Sequence, residues 1–169
     1  MRRRGRSGAV LLETAMWTPV LILLFLGTVE LSRVTYTYYT LKKILYDFGR
    51  SAATLQGANF CDESDAQITA AKARAISGTA DGAGPALLPD LAAGQITLRL
   101  ERYVQETASL TDCVCEATAV GCDSSQGAPA PDYLVVTMPE GYPITLRFPG
   151  IINEPIPLRP VIRLPFGGV

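Results

Sequence analysis

Hydrophobic and polar positions divide this chain into three regimes. From Ala9 to Leu31 the residues are almost continuously apolar, and Thr14 to Val29 carries no charge at all. This stretch includes Val20-Leu21-Ile22-Leu23-Leu24-Phe25-Leu26. As a helix it rises about 35 Å, enough to cross a hydrocarbon layer of about 30 Å. The second regime has a helical period. Tyr38, Leu41, Leu45, Phe48 and Ala52 recur at alternating spacings of three and four, while Lys42, Lys43, Asp47 and Arg50 fall off that stripe. Pro19 is the one strong breaker before Phe48 and is expected to kink the helix by removing one main-chain bond. The pattern predicts one helix from about Ala9 to Ala53, its first half in lipid and its second half packed on a globular part. Tyr36, Tyr38 and Tyr39 then fall near the far interface, where aromatic belts form.

In the third regime the elements shorten. Cys61-Asp62-Glu63-Ser64-Asp65 supplies helix-start acids for a short helix from about Glu63 to Ile76, closed by Gly78. These carboxylates lack the spaced pattern of a calcium loop. Thr79 to Gly94 is rich in glycine, proline and alanine and reads as a loop. From Gln95 the period becomes two: Ile96, Leu98 and Leu100 alternate with Thr97, Arg99 and Glu101 in a strand running on through Val104. Tyr133 to Met138 is a second strand. Ile144, Leu146 and Phe148 mark a third, and Ile156 to Phe166 is a proline-interrupted edge strand. The fold class expected is α+β, a long N-terminal helix followed by a small antiparallel sheet that the helix covers on one face.

Charge and composition add a topology and remove several chemistries. The 169 residues are 48% hydrophobic and 18% charged, against about 25% charged in an ordinary soluble protein. Arg2, Arg3, Arg4 and Arg6 crowd the start, and no other basic residue precedes Arg33. The positive-inside rule therefore puts the N-terminus in the cytoplasm and the bulk of the chain across the membrane. Histidine is absent, which excludes imidazole bases, triads built on them and histidine metal ligands. A net charge of −1 argues against nucleic acid as a partner. No constellation for an enzyme or a cofactor emerges.

Cys61, Cys113, Cys115 and Cys122 lie on the far side of the membrane in this topology, where four cysteines read as two disulfides with three possible connectivities. Cys115 and Cys122 flank a plausible turn, Glu116 to Gly121, and would staple it, leaving Cys113 to reach Cys61. The alternative is a Cys₄ zinc site, although the Cys113-x-Cys115 spacing is tighter than the usual zinc pair.

Glu13 interrupts the apolar stretch, and a charge inside a bilayer asks for a partner. Gly8-Ala9-Val10-Leu11-Leu12-Glu13 resembles the processing site of type IV pilin-like proteins, in which a prepilin peptidase cuts after a glycine and a glutamate is fifth in the mature chain. Cleavage between Gly8 and Ala9 makes Glu13 that residue. In such filaments the glutamate is thought to pair with a neighbouring subunit's terminal ammonium. Gly8 to Ala15, the apolar run, Val29-Glu30-Leu31-Ser32-Arg33 and Arg50-Ser51-Ala52-Ala53 together resemble the TadE-like family, pseudopilins of the tight-adherence (Flp-type IVb) pilus system. The tight Cys-x-Cys with a third cysteine after it and the late strands fit that family too.

The resemblance implies a minor pilus-assembly subunit that resides in the bacterial inner membrane and is open to incorporation into an extracellular pilus. Its expected partners are the prepilin peptidase, other pilins and pseudopilins, and the inner-membrane assembly platform. The expected organisation is a basic leader at 1–8, a transmembrane segment at 9–32 and the extramembrane half of the helix at 33–56. A disulfide-bonded periplasmic domain follows at 57–169. The competing expectation is an unprocessed, single-pass anchored scaffold or binding protein.

Overall fold

The computed structural model describes residues 6–115, 122, 130–146 and 154–167, with side chains from Gly8 onward. Helix α1 runs from Arg6 to Ala52, 47 residues or about 70 Å, and continues through Pro19. From Gly8 to Leu26 every residue is exposed, although the stretch is almost wholly apolar. The environment then changes on the same helix. Leu41, Ile44, Leu45, Phe48 and Ala52 are fully buried or nearly so, which confirms the stripe and adds Ile44 to it.

Helix α2 spans Ala66 to Ser77 and packs against α1. Its start is set by Asp65, whose carboxylate accepts from the backbone N–H groups of Gln67 and Ile68, so the helix begins three residues later than the acid cluster suggested. Asp65 also accepts from Asn59 N, which ties the cap to the chain leaving α1. Gly78 closes the helix at φ 68°, in the left-handed region that glycine enters without a Cβ penalty. A 3₁₀ turn at Ala93–Gln95 leads into the sheet.

The strands are β1 (Thr97–Val104), β2 (Ser109–Asp112), β3 (Tyr133–Thr137), β4 (Tyr142–Ile144), β5 (Ile156–Leu158) and β6 (Val161–Pro165). They form a four-stranded antiparallel sheet in the order β2-β1-β3-β6 and a two-stranded sheet of β4 and β5. The α+β architecture expected from the pattern is therefore present. Register places Leu98, Val136 and Ile162 in one inward row and Leu100, Leu134 and Leu164 in the next. Both rows face α1. Phe166 closes the far end edge-to-face on Phe60, with centroids 5.5 Å apart.

Three expectations are corrected. Strand β2 was not anticipated, because Ser109-Leu110-Thr111-Asp112 has only one apolar residue; it forms by hairpin pairing with β1 at an exposed edge. The segment Ile156 to Phe166 is two strands in two sheets. Pro160 is buried between them, lacks an N–H and restricts Arg159, so the ladder cannot run through. The β6 portion is an edge strand, as its prolines required. The strand expected over Ile144, Leu146 and Phe148 ends at Ile144; Phe148 lies outside the described residues.

On the outer face, Arg163 Nε lies 2.8 Å from Glu101 Oε2 and Arg163 Nη2 donates to Glu101 Oε1 at 3.0 Å. The Oε2 contact is a close ion pair rather than an aligned hydrogen bond. Glu101 is 8% exposed, so the guanidinium compensates a carboxylate that water scarcely reaches. That carboxylate holds the Arg163 guanidinium above its ordinary value.

Gly49 lies on α1 against the β3 and β6 side chains of the sheet. A Cβ there falls 2.6 Å from Leu164 Cδ1 and 3.1 Å from Val136 Cγ2. Gly49→Ala is expected to destabilise the domain by about 1–3 kcal/mol through overpacking, despite alanine's better helix propensity. Urea unfolding of the full chain in detergent measures it, with an unchanged midpoint as the contrary result. The cap gives a second expectation. The hydrogen bond from Asn59 first, helped by those from Gln67 and Ile68, holds the Asp65 carboxyl below its ordinary value of 3.8 against an opposing desolvation that ranks second. A lowered folded-state pKa means stability present above 3.8 and lost as pH falls through the folded value. The stability advantage of wild type over Asp65→Ala is therefore expected at neutral pH and should shrink progressively below 3.8, as read by paired unfolding curves.

Candidate functional site

The chemistry-bearing residues of the first regime all lie on α1. Gly8, Ala9 and Glu13 are exposed, as are Val10, Leu11, Leu12, Met16 and Trp17 around them. Helical hydroxyls do not add free polar groups to this surface. Thr14 Oγ1 donates to Val10 O at 2.8 Å and Thr18 Oγ1 to Thr14 O at 2.7 Å; Thr28 and Ser32 bond back in the same way. The polarity of these hydroxyls is thus satisfied within the helix, as a hydrocarbon environment favours.

The two carboxylates of this stretch differ. Glu30 pairs with Arg33 one turn on, Oε2 to Nη1 at 3.4 Å, and its side chain is only 15% exposed. Glu13 has no counter-charge among the described residues. The pairing of Glu30 was not read from the sequence, although a Glu-x-x-Arg spacing at a helix end carries the signal.

The globular part begins without an exposed linker. Thr37 is buried, Arg33 and Val34 are half-buried, and Tyr36 and Tyr39 remain exposed. Lys42 Nζ stands 5.3 Å from the Tyr38 ring centroid, a cation–π contact on the same helix.

All four candidate cysteines are bonded, but not in the expected pairs. The bridges are Cys61–Cys115 and Cys113–Cys122, with Cα separations of 5.5 and 5.7 Å. Cys113 N donates to Leu100 O at 2.8 Å, so this residue prolongs the β1–β2 ladder and turns toward the core, where it meets the fully buried Cys122. Cys115 lies two residues further out and is exposed, within reach of the half-buried Cys61 that follows α1. The turn proposed over Glu116 to Gly121 lies outside the described residues.

Together these features define an α+β protein whose N-terminal helix is long and apolar enough to cross a membrane once. The family model described as TadE-like protein matches residues 8–50, so the TadE-like assignment made from the N-terminal motifs holds over α1. No curated protein and no solved structure matches the chain.

A peptide map of the unreduced protein is expected to recover Cys61 with Cys115 and Cys113 with Cys122. The larger loop, with a sequence separation of 54 against 9, restrains the unfolded chain more. Replacing both cysteines of a pair by alanine is therefore expected to remove about 4 kcal/mol for Cys61–Cys115 and about 3 kcal/mol for Cys113–Cys122. Equal losses, or a larger loss for the short loop, would contradict this ordering.

Proposed function

We propose that this protein is a pseudopilin-like minor subunit required for assembly of a tight-adherence (Flp-type IVb) pilus. In this reading a prepilin peptidase cuts between Gly8 and Ala9, and the helix anchors the chain in the bacterial inner membrane with its N-terminus cytoplasmic. The disulfide-bonded domain is then periplasmic. Its role is structural rather than catalytic, and its partners are other pilins or pseudopilins and the assembly platform.

The observation that carries the reading is the contrast between the two carboxylates on a TadE-like helix. Glu30 is neutralised by Arg33, whereas Glu13, on an exposed apolar surface, has no counter-charge among the described residues. An isolated charge at the centre of a membrane helix is disfavoured by roughly 2.5–3.5 kcal/mol on insertion scales, and Glu13, nearer the end of the span, meets a smaller penalty of the same sign. A terminal ammonium on Ala9 of an adjacent subunit offsets that penalty, because two opposite charges tolerate low dielectric better together. Cleavage also leaves Glu13 in the first turns of the helix, where the macrodipole favours a carboxylate.

Terminal sequencing is expected to find Ala9 first in cells with an active prepilin peptidase and Met1 first in cells lacking it. Protein that begins at Met1 in both would support the unprocessed scaffold instead. Glu13→Ala is expected to abolish piliation while the protein accumulates normally. Glu13→Asp should retain part of it, since the charge survives.

A further inference from the structure

Beside the point where α1 leaves its apolar stretch there is a cavity of about 380 Å³, lined by Arg33, Tyr36 and Thr37 of the helix and by Leu87, Asp90 and Tyr142 of the globular part. Arg33 and Asp90 bear opposite charges on this one cavity yet form no salt bridge with each other. Both fields reach the Tyr142 hydroxyl. Burial and the Asp90 carboxylate push that phenol up, and the Arg33 guanidinium pulls it down. Arg33 gives only Nη1 to Glu30, so most of its donor fork is uncommitted.

Asp90 is held rather than free. Leu88 and Leu91 on either side are 4% and 6% exposed, and Tyr142 donates its hydroxyl proton to Pro89 O at 2.7 Å. Asp90 itself has φ 60°, one of two described non-glycine residues in the left-handed region. Such backbone strain persists where surrounding structure imposes it, and here the imposed conformation presents a carboxylate that forms no salt bridge among the described residues.

Among the described lining residues, Arg33 and Asp90 give this cavity one positive and one negative charge. That pair of opposite charges suits a zwitterion whose phosphate reaches Arg33 and whose ammonium reaches Asp90. Arg33 follows Leu31 by about 3 Å of helix rise, which is headgroup depth if residues 9–32 span the bilayer. Exposed Tyr36 beside it is a typical interfacial side chain.

We propose that this cavity is a binding site for a phospholipid headgroup bearing a primary ammonium, of the phosphatidylethanolamine type, which seats the domain on the outer surface of the membrane. The proposal rests on the reading of α1 as a membrane span.

The test uses the full chain in mild detergent, offered equal amounts of phosphatidylethanolamine, phosphatidylcholine and phosphatidylglycerol, with retained lipid read by native mass spectrometry. Wild type is expected to retain the ethanolamine lipid about fivefold over the other two, the scale of one partly exposed charge pair. Asp90→Asn keeps a residue that tolerates the left-handed backbone, and should lose discrimination between ethanolamine and choline lipids. Arg33→Gln should lower retention of both. Thermal melting of each variant confirms that the domain remains folded. Equal retention of the three lipids by wild type, or an unchanged pattern in both variants, overturns the proposal. Displacement of the lipid by equimolar glycerophosphoethanolamine would assign the site to a soluble compound and overturn it too. Flotation with liposomes separates the two readings: a chain that fails to float defeats the span and this site together, whereas one that floats without selectivity defeats this site alone.

Discussion

The contact between the buried stripe of α1 and one face of the four-stranded sheet organises everything beyond the membrane-length segment. Leu41, Leu45, Phe48 and Ala52 supply the helical side, and the rows Leu98-Val136-Ile162 and Leu100-Leu134-Leu164 supply the other. At Gly49 the helix backbone lies against Leu164 and Val136 with no room for a methyl group. That closeness sets the distance between the layers, and close-packed interiors transmit such a constraint to their neighbours. Helix α2, the Phe60–Phe166 pair and the disulfide from Cys61 all sit where this contact leaves the end of α1.

The same helix has two surfaces of different character. Its first half exposes Leu, Ile, Phe and Trp side chains, which hydrocarbon tolerates and water does not. Its second half removes an apolar stripe from water by folding. The change falls between Leu26 and Thr37, and there the chain also places the Glu30–Arg33 pair. Two of the paired carboxylates are largely desolvated, whereas the Arg99–Asp112 pair is exposed. Glu30 is largely covered and has Arg33; Glu101 is buried and has Arg163. Glu13, within the TadE-like match over 8–50, has no cation paired with it among the described residues.

Much of this was readable in advance because it is local. The apolar run, the 3.6-residue stripe over Leu41 to Ala52, the period of two in β1 and β3, and the Gly78 stop each encode their element within one short window. Elements without such a window were misread. Strand β2 has a single apolar residue, and its pairing energy comes from β1. The break at Pro160 could be foreseen as a weak point, but not that the two halves would enter separate sheets. The acid cluster before α2 announced a helix start, yet only the cap geometry singled out Asp65.

Sequence by itself determined the membrane-length helix, its amphipathic continuation, the α+β class, the TadE-like N-terminus and the presence of four cysteines available for bridging. These rest on composition and periodicity, which act over one to a few turns. Tertiary structure alone decided which cysteines meet, which carboxylates are compensated, and how Arg33 and Asp90, 57 positions apart along the chain, come to line one cavity. Those outcomes depend on distances set by packing α1 against the sheet, and no pattern within a short segment carries a distance across the fold.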